Sequence, residues 1–283
     1  MRWYKPLLFP FASRFIAGET LHEALVYGQR RRKEGITPLF DVLGEAATRK
    51  SEIVRATNDY MNVIEGMHDA KIQGGLSLKL TSFGLDEDKE LCFRAVHRIV
   101  RHAHAHRILV WVDMESSAHT KATLSIYRRL LEHHDNVGIC IQAYLKRSKR
   151  DILSLLPDNP KIRLVKGAYT ESASVAYTRH PEVVNHFKAL ITLCIEKKVW
   201  LAVATHDMTI INHTLSLAGK TKNHLEFQML KGIKDREKKV LSEAGYRVAE
   251  YIPFGKEWDR YFFRRLREGW YSLLWMLVSS LTG

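Results

Sequence analysis

The chain has 283 residues, of which 46% are hydrophobic and 27% charged, a composition typical of globular proteins and not of disordered or fibrous ones. Its net charge of +13 and pI of about 9.6 suit nucleic acid, an anionic membrane surface or anionic ligands. The sequence contains no long Lys/Arg block and no basic stretch interleaved with aromatics, so we expect no nucleic-acid partner.

The cysteines and the N-terminus bear on the cellular compartment. Three widely spaced cysteines form neither a disulfide framework nor a zinc pattern, which favours a reducing compartment. The first apolar run is short and interrupted by Pro6 and Pro10, so it is a poor signal peptide. No run reaches the roughly 20 apolar residues of a membrane span. We therefore expect a cytoplasmic protein.

The first clear element is a helix in an N-terminal arm of about residues 1–35. Thr20 is a suitable N-cap, and Glu23 three residues later completes a capping box. The helix is predicted to run to about Glu34 and to end at Gly35.

After this arm, short apolar runs alternate eight times with longer segments of helical periodicity. The predicted strands are Pro38–Leu43, Leu76–Leu80, Ile108–Met114, Val137–Tyr144, Ile162–Val165, Trp200–Thr205, Leu225–Leu230 and Val248–Pro253. The predicted helices are Glu45–Lys71, Asp86–Ala105, Ala118–His134, Arg150–Leu155, Pro181–Lys198, Thr209–Ala218, Lys234–Gly245 and a last one from Trp258 onward. No linker divides the chain, so we expect one domain over residues 1–283, with an apolar tail from about residue 270 to 283.

Eight alternations in under 300 residues predict an α/β fold of the (β/α)8 TIM-like barrel type. A doubly wound open sheet is the alternative, but it usually brings a Gly-rich turn after an early strand, and the sequence has no G-x-G-x-x-G there. In a barrel, functional residues lie where the strands end. Polar residues cluster there: Lys79, Asp113, Gln142, Arg163, Lys166, His206 and Gln228.

The last predicted helix carries a distinctive face. Tyr261, Arg264, Arg265 and Glu268 follow at i, i+3, i+4 and i+7. Paired arginines can bind a small carboxylate bidentately, although such a face is more often simply solvated. Its position after the eighth strand places it over the barrel mouth, and Phe262 and Phe263 fall on another face that can supply the burial.

Two other chemistries find little support. The tract His102 to His106 could present ring nitrogens on one helix face, but we expect no third ligand nearby and read it as a basic helix end. No Ser or Cys nucleophile stands in a recognisable motif with a base. We therefore predict no metal site.

Taken together, the motifs resemble the proline dehydrogenase family, flavoenzymes that oxidise L-proline to Δ1-pyrroline-5-carboxylate. The resemblance covers almost the whole chain, and its motifs occur in the family's order: A-G-E-T-L-H-E-A-L, F-D-V-L-G-E, S-L-K-L, V-D-M-E, I-Q-A-Y-L-K-R, R-L-V-K-G-A-Y, A-T-H-D, F-Q-M-L-K-G and Y-I-P-F-G…Y-F-F-R-R-L-R-E. Members commonly read A-T-H-N where Asp207 follows His206 here, which leaves the contacts of that position open.

The resemblance implies a distorted (β/α)8 barrel with FAD at the C-terminal mouth and the last helix over it. It implies hydride transfer to flavin N5 in the first step of proline catabolism to glutamate. The electron acceptor would be a quinone, which suits a peripheral contact with the inner face of the membrane. The resemblance is also compatible with the protein forming an oligomer.

Residue roles also follow from the resemblance. Asp113 and Arg163 are assigned to catalysis. The substrate would be bound by Lys79, Tyr169, Leu230, Tyr251, Tyr261, Arg264, Arg265 and Glu268, with Asp113 and Glu268 holding the cations in place. FAD would be bound by Met114, Gln142, Arg163, Lys166, Gly167, Ala168, Tyr169, Thr205, His206 and Gln228. One alternative of another class stays open, a non-catalytic basic barrel that binds polyanions such as nucleic acid or anionic lipid.

Overall fold

The computed structural model describes residues 4–44 and 46–268, except the side chains of residues 220, 221 and 265–268. Within this part the strands are β1 Thr37–Val42, β2 Gly75–Leu78, β3 Leu109–Val112, β4 Val137–Gln142, β5 Lys161–Val165, β6 Trp200–Ala204, β7 Leu225–Leu230 and β8 Arg247–Phe254. The helices are α1 Lys5–Ala12, α2 Leu21–Lys33, α3 Lys50–Asp69, α4 Lys89–Ala105, α5 Thr120–Leu131, α6 Ser148–Leu155, α7 His180–Glu196, α8 Met208–Ala218, α9 Asp235–Glu243 and α10 Trp258–Glu268.

The eight strands are parallel and form a closed barrel in chain order, with β8 pairing back onto β1. The predicted (β/α)8 fold is confirmed. Several strands end earlier than predicted. β2 ends at Leu78 and β3 ends at Val112. Lys79 and Asp113 therefore lie just beyond their strands, where a barrel presents its functional residues.

The alternation of side chains along the strands builds the site on top of an apolar layer. Leu39, Trp111, Ala202 and Ala249 form one buried cluster within the barrel. Because side chains two residues apart share a face of a strand, the next positions of the same face toward the mouth include Asp41, Asp113 and Tyr251. The inward-facing side chains of these strands are therefore apolar in the barrel interior and polar one step closer to the mouth.

The N-terminal arm lies against the last helix. The Thr20 capping box of α2 forms as predicted, with Glu23 as its partner. The Tyr4 hydroxyl donates to Asp259 Oδ2 of α10 at 2.8 Å, and Trp258 Nε1 donates to Glu19 Oε1 at 2.6 Å. These contacts hold α10 close to the barrel mouth.

Apolar packing supports the same arrangement. Phe15, Trp258 and Phe262 belong to one buried cluster between the arm and α10. Phe263, which we expected to share this burial, is 39% exposed and meets the Tyr4 ring edge-on. Among the described residues, no helix combines the length and the apolar character that crossing a membrane requires.

Candidate active site

A cavity of about 1560 Å³ opens at the C-terminal ends of the strands. It brings together sixteen of the residues that the sequence singled out: Lys79, Asp113, Met114, Gln142, Arg163, Lys166, Gly167, Ala168, Tyr169, Thr205, His206, Gln228, Leu230, Tyr251, Tyr261 and Arg264. The side chains of Arg265 and Glu268 lie outside the described residues, and with them the predicted role of both in the substrate site and of Glu268 in holding a cation in place.

Lys79 is a cation that lines the cavity and has several anionic or polar neighbours. Its ammonium donates to Asp41 Oδ1 at 3.0 Å and to the Tyr251 hydroxyl at 3.1 Å, and lies 3.3 Å from Asp113 Oδ2. The Tyr251 hydroxyl in turn donates to Asp113 Oδ2 at 3.0 Å. Two carboxylates and one phenol therefore fix the position of a single ammonium.

Asp113 connects this group to a second buried cation. Arg163 Nη1 donates to Asp113 Oδ1 and to Ser77 Oγ, both at 2.8 Å. The Ser77 hydroxyl donates to the same carboxylate oxygen at 2.8 Å. The guanidinium carbon lies 4.6 Å from the centre of the Trp111 ring, so the apolar layer below supports the arginine by a cation–π contact.

The charges of this network are set by burial and by the neighbours. Burial opposes the ionisation of Asp113, but Lys79 and Arg163 outweigh it and hold its pKa below the ordinary value. Burial lowers the pKa of Lys79, and its anionic neighbours more than reverse this, raising it well above the ordinary value. Burial raises the pKa of Asp41 despite the nearby ammonium. Asp113 is thus the carboxylate that stays ionised most readily.

The tyrosine of this network acts as a donor. Burial, followed by the charges of Asp113 and Asp41, raises the pKa of Tyr251 well above its ordinary value. Tyr169, which also lines the cavity, has its pKa raised to about 12, mainly by burial. Both phenols are neutral near pH 7 and can donate a hydrogen bond.

Three buried polar atoms at the cavity have no hydrogen-bond partner among the described residues. They are Nε and Nη2 of Arg163 and Oε1 of Gln142, whereas Gln142 Nε2 donates to the Met114 carbonyl at 3.2 Å. A buried polar atom left unpaired costs about 1–3 kcal/mol. Two donors and an acceptor at one cavity therefore fit a bound polar heterocycle that offers complementary groups along its edge.

The cavity wall also carries a half-buried cation, Lys166, that is held by an acid. Lys166 Nζ donates to Asp207 Oδ2 at 2.7 Å and lies 3.1 Å from His180 Nε2. Asp207 also caps α8 by accepting from the Thr209 backbone N–H at 2.9 Å. The position that departs from the family pattern thus orients Lys166 and begins a helix.

Two further polar residues of the cavity are held by hydrogen bonds to residues of β7. The Leu230 backbone N–H donates to His206 Nε2 at 2.9 Å, which places the proton of the neutral ring on Nδ1. Gln228 Nε2 donates to Glu226 Oε1 at 2.6 Å inside the barrel. Burial raises the pKa of Glu226.

Two contributions to the cavity were not identified from the sequence. Asp41 lies in the first predicted strand, and no role in the site was predicted for it from the sequence. It is 1% exposed and forms an ion pair with Lys79. An acid inside an otherwise apolar strand is a signal that could have found it. Arg14 and Phe15 of the arm also line the cavity, and no pattern in the sequence indicates this long-range packing.

This geometry can be compared with known proteins. A family model described as proline dehydrogenase matches residues 24–270. The chain belongs to the proline dehydrogenase family. It is therefore an enzyme of the oxidoreductase class.

Proline dehydrogenases of two bacterial genera match over nearly the full length. Proline dehydrogenase 1 of Bacillus subtilis subsp. natto is 38% identical over 260 residues, which cover 91% of this chain and 86% of that protein. The proline dehydrogenase of Deinococcus radiodurans is 35% identical over 269 residues, covering 92% and 87%. The matched region thus spans most of both relatives.

Solved structures agree on the barrel. Proline utilization A of Bdellovibrio bacteriovorus, in a crystal structure of the enzyme inactivated by N-propargylglycine, matches with a TM-score of 0.86 and 27% identity. The match covers 94% of this chain and 33% of that one. The barrel thus corresponds to about one third of a much longer protein.

Proposed function

We propose that the protein catalyses the FAD-dependent oxidation of L-proline to Δ1-pyrroline-5-carboxylate, the first step of proline catabolism to glutamate. Membership of the proline dehydrogenase family supports the reaction. A cavity lined by cations, phenols and apolar side chains supports an amino acid as its substrate. The observation that supports a cofactor site is that the buried Arg163 has two unpaired donor atoms at the cavity.

The substrate's carboxylate is held by cations from two elements of the cavity wall. Lys79 follows β2 and Arg264 lies in α10, and Arg265 follows Arg264 in the sequence. Arginine forks and an ammonium bind a carboxylate through charge-assisted hydrogen bonds. Apolar and aromatic side chains surround the ring, from Tyr169, Leu230, Tyr251 and Tyr261. This arrangement fixes which ring carbon faces the cofactor and lowers the barrier through positioning.

The cofactor site uses the rest of the wall. A bound flavin supplies the hydride acceptor, its N5 atom. Arg163 would donate hydrogen bonds to the bound flavin, Gln142 would bond it through its unpaired amide oxygen, and Lys166 would offer positive charge to its phosphates. The remaining cofactor contacts come from Met114, Gly167, Ala168, Tyr169, Thr205, His206 and Gln228. Gly167 has φ +119°, and a Cβ there would lie 2.2 Å from the Tyr144 ring, so only glycine fits this turn.

Asp113 and Arg163 are the groups that we assign to catalysis. The ionised Asp113 holds both Arg163 and Lys79 in fixed positions. Arg163 then places a positive charge where negative charge develops. The ring carbon next to nitrogen loses a hydride, and the amine must first be neutral. Its proton can pass to solvent, so the mechanism requires no protein base.

The electrons pass on to a quinone in this proposal, which suits a peripheral contact with the membrane. The net charge of +13 favours anionic lipid, and residues 270–283 form an apolar stretch outside the described residues. Flotation with anionic liposomes should recover the full chain and not a chain lacking residues 270–283. Equal flotation of the two would exclude the tail as the anchor.

The decisive experiment is an absorption spectrum of the purified protein. We expect a flavin spectrum that bleaches anaerobically with L-proline, with pyrroline-5-carboxylate as the product. N-propargylglycine, which inactivated the Bdellovibrio bacteriovorus protein, should abolish this turnover. A colourless protein that cannot be reconstituted with FAD would refute the proposal. If it also bound polyanions with steep salt dependence, the alternative basic barrel would be favoured.

A further inference from the structure

The histidine tract at the end of α4 faces an acid of α3. One ligand atom each from Glu65, His102 and His106 lies within 4.8 Å of the other two. The expectation that no third ligand lies nearby is therefore wrong. It failed because the two helices are distant in sequence at this point and only the barrel brings their ends together.

The geometry around these three residues is close to that of a ligand set. His102 Nε2 lies 2.6 Å from Glu65 Oε1, and the rings of His102 and His106 are 5.1 Å apart between centroids. His68, three residues after Glu65 on α3, lies with its ring 4.5 Å from that of His106. Residues at i and i+3 of one helix thus face residues at i and i+4 of the other.

We propose that Glu65, His102 and His106 bind one divalent transition-metal ion of the Zn²⁺ type. Imidazole nitrogens and a carboxylate oxygen are the ligands that Zn²⁺ takes at about 2.0–2.2 Å, which separates neighbouring ligand atoms by about 3.3 Å in a tetrahedral site. The ion replaces the hydrogen bond between His102 and Glu65. Water or His68 takes the fourth position.

The site lies away from the reaction. α3 and α4 end near the N-terminal ends of the strands that follow them, at the face of the barrel opposite the cavity. Glu65 is exposed and both ligating histidines are half-buried, so the ion can enter from solvent. A metal ion at this site would cross-link the two helices. The free energy of unfolding would then rise as the concentration of the free ion exceeds its Kd.

A second group of histidines provides the matched control. The His97 and His134 rings lie 5.0 Å apart, and the His104 and His134 rings 5.6 Å apart, on the α4–α5 side. A metal ion that binds wherever histidines cluster would be expected to bind to this group as well. The geometry assigns the ion to the α3–α4 group, so His134→Gln should leave binding unchanged.

The test uses the untagged full chain, freed of metal with a chelator, at pH 7.5, where imidazoles are mainly neutral. Zn²⁺ is titrated calorimetrically, and Co²⁺ is followed by its visible absorption. We expect one equivalent to bind and the melting temperature to rise. His102→Gln and His106→Gln should each weaken binding by more than about tenfold, because even residues that only orient a ligand cost that much.

Three results would overturn the proposal. They are no saturable binding of one equivalent, binding unchanged in both His102→Gln and His106→Gln, or loss of binding in His134→Gln. Metal-free melting temperatures of all variants show whether the substitutions disturb the fold. Turnover with L-proline should stay the same with and without Zn²⁺, which separates this site from the proposed activity.

Discussion

Arg163 and Asp113 form an ion pair of 2.8 Å inside the barrel, where the arginine side chain is 3% exposed and the carboxylate 14%. Asp113→Asn removes the charge that neutralises Arg163 while keeping the shape. We expect kcat/KM for proline to fall about 100-fold, as when a preorganised electrostatic group is lost. Steady-state kinetics check this, and the absorption spectrum shows whether the proposed flavin remains bound.

Ser77→Ala is the control for this pair, because Ser77 Oγ accepts from the same Arg163 nitrogen. Ser77→Ala removes hydrogen bonds to both partners but leaves the ion pair and its charges in place, so kcat/KM should fall less than in Asp113→Asn. If both variants lost the same activity, the charge of Asp113 would not be what matters.

Asp41 should act on binding through Lys79. Asp41→Asn leaves the ammonium paired with Asp113 alone, so we expect KM for proline to rise about tenfold with a smaller change in kcat. Combining it with Lys79→Met should add little to the effect of Lys79→Met alone, since the two residues share one contact. Additive effects in this double-mutant cycle would contradict the assignment.

Arg264→Met should separate substrate binding from cofactor binding. Removing one charge-assisted contact costs about 1.5–3 kcal/mol, so KM for proline should rise about 10- to 100-fold with flavin still bound. Arg265→Met should behave alike. Arg260→Met, on the same helix at an exposed position away from the cavity lining, is the matched control and should keep the wild-type KM.

The barrel was predictable from the sequence because alternating periodicities record which faces are buried. The polar cavity residues at the strand ends, such as Lys79 and Asp113, followed from the rule that the strands of a barrel end at the same face, whereas the roles of the others came from the resemblance to the family. The role of Asp41 could not be predicted because the rest of its strand is apolar and its partner Lys79 lies 38 residues away in the chain. The Glu65 contact and the arm's place at the cavity escaped for the same reason, since periodicity carries no information on which distant segments meet.

Glu226 gives the stability a defined pH dependence. Burial raises its folded-state pKa, so the folded state binds the proton more tightly than the unfolded chain, whose pKa is about 4.3. The contribution of Glu226 to the free energy of unfolding is therefore fully present at low pH. It is lost as the pH rises through the folded-state pKa. Glu226→Gln does not titrate, and its amide oxygen can still accept from Gln228.

The measurable quantity is the melting temperature of Glu226→Gln minus that of the wild type. We expect this difference to become more positive between pH 4.5 and pH 8. A difference independent of pH would show that Glu226 has the same pKa in both states. Glu243→Gln, at an exposed position of the α9 surface, serves as the control without such a trend.

Lys231 ties the arm to the end of β7. Its buried ammonium donates to the carbonyls of Ser13 at 2.6 Å and Arg14 at 3.0 Å, and burial lowers its pKa to about 8. Lys231→Met leaves both carbonyls without this donor, which costs about 1–3 kcal/mol. The melting temperature should fall, and proteolysis near Arg14 should become faster.

The same substitution at the exposed Lys239, whose carboxylate partner Glu243 is 3.8 Å away, should change stability by less than about 0.5 kcal/mol. Equal effects at the two lysines would mean that the arm is held by apolar packing and not by the buried ammonium.

The contact of Tyr4 with Asp259 spans 255 residues of sequence. At about 5–20 residues per second, a ribosome needs roughly 13–50 s to make the intervening chain. For that time the apolar side chains of the arm, including Phe15, have been synthesised but their partners Trp258 and Phe262 have not. Newly made protein is therefore exposed to aggregation through its first residues until its last described helix emerges, so expression should respond to chaperones that bind nascent chains.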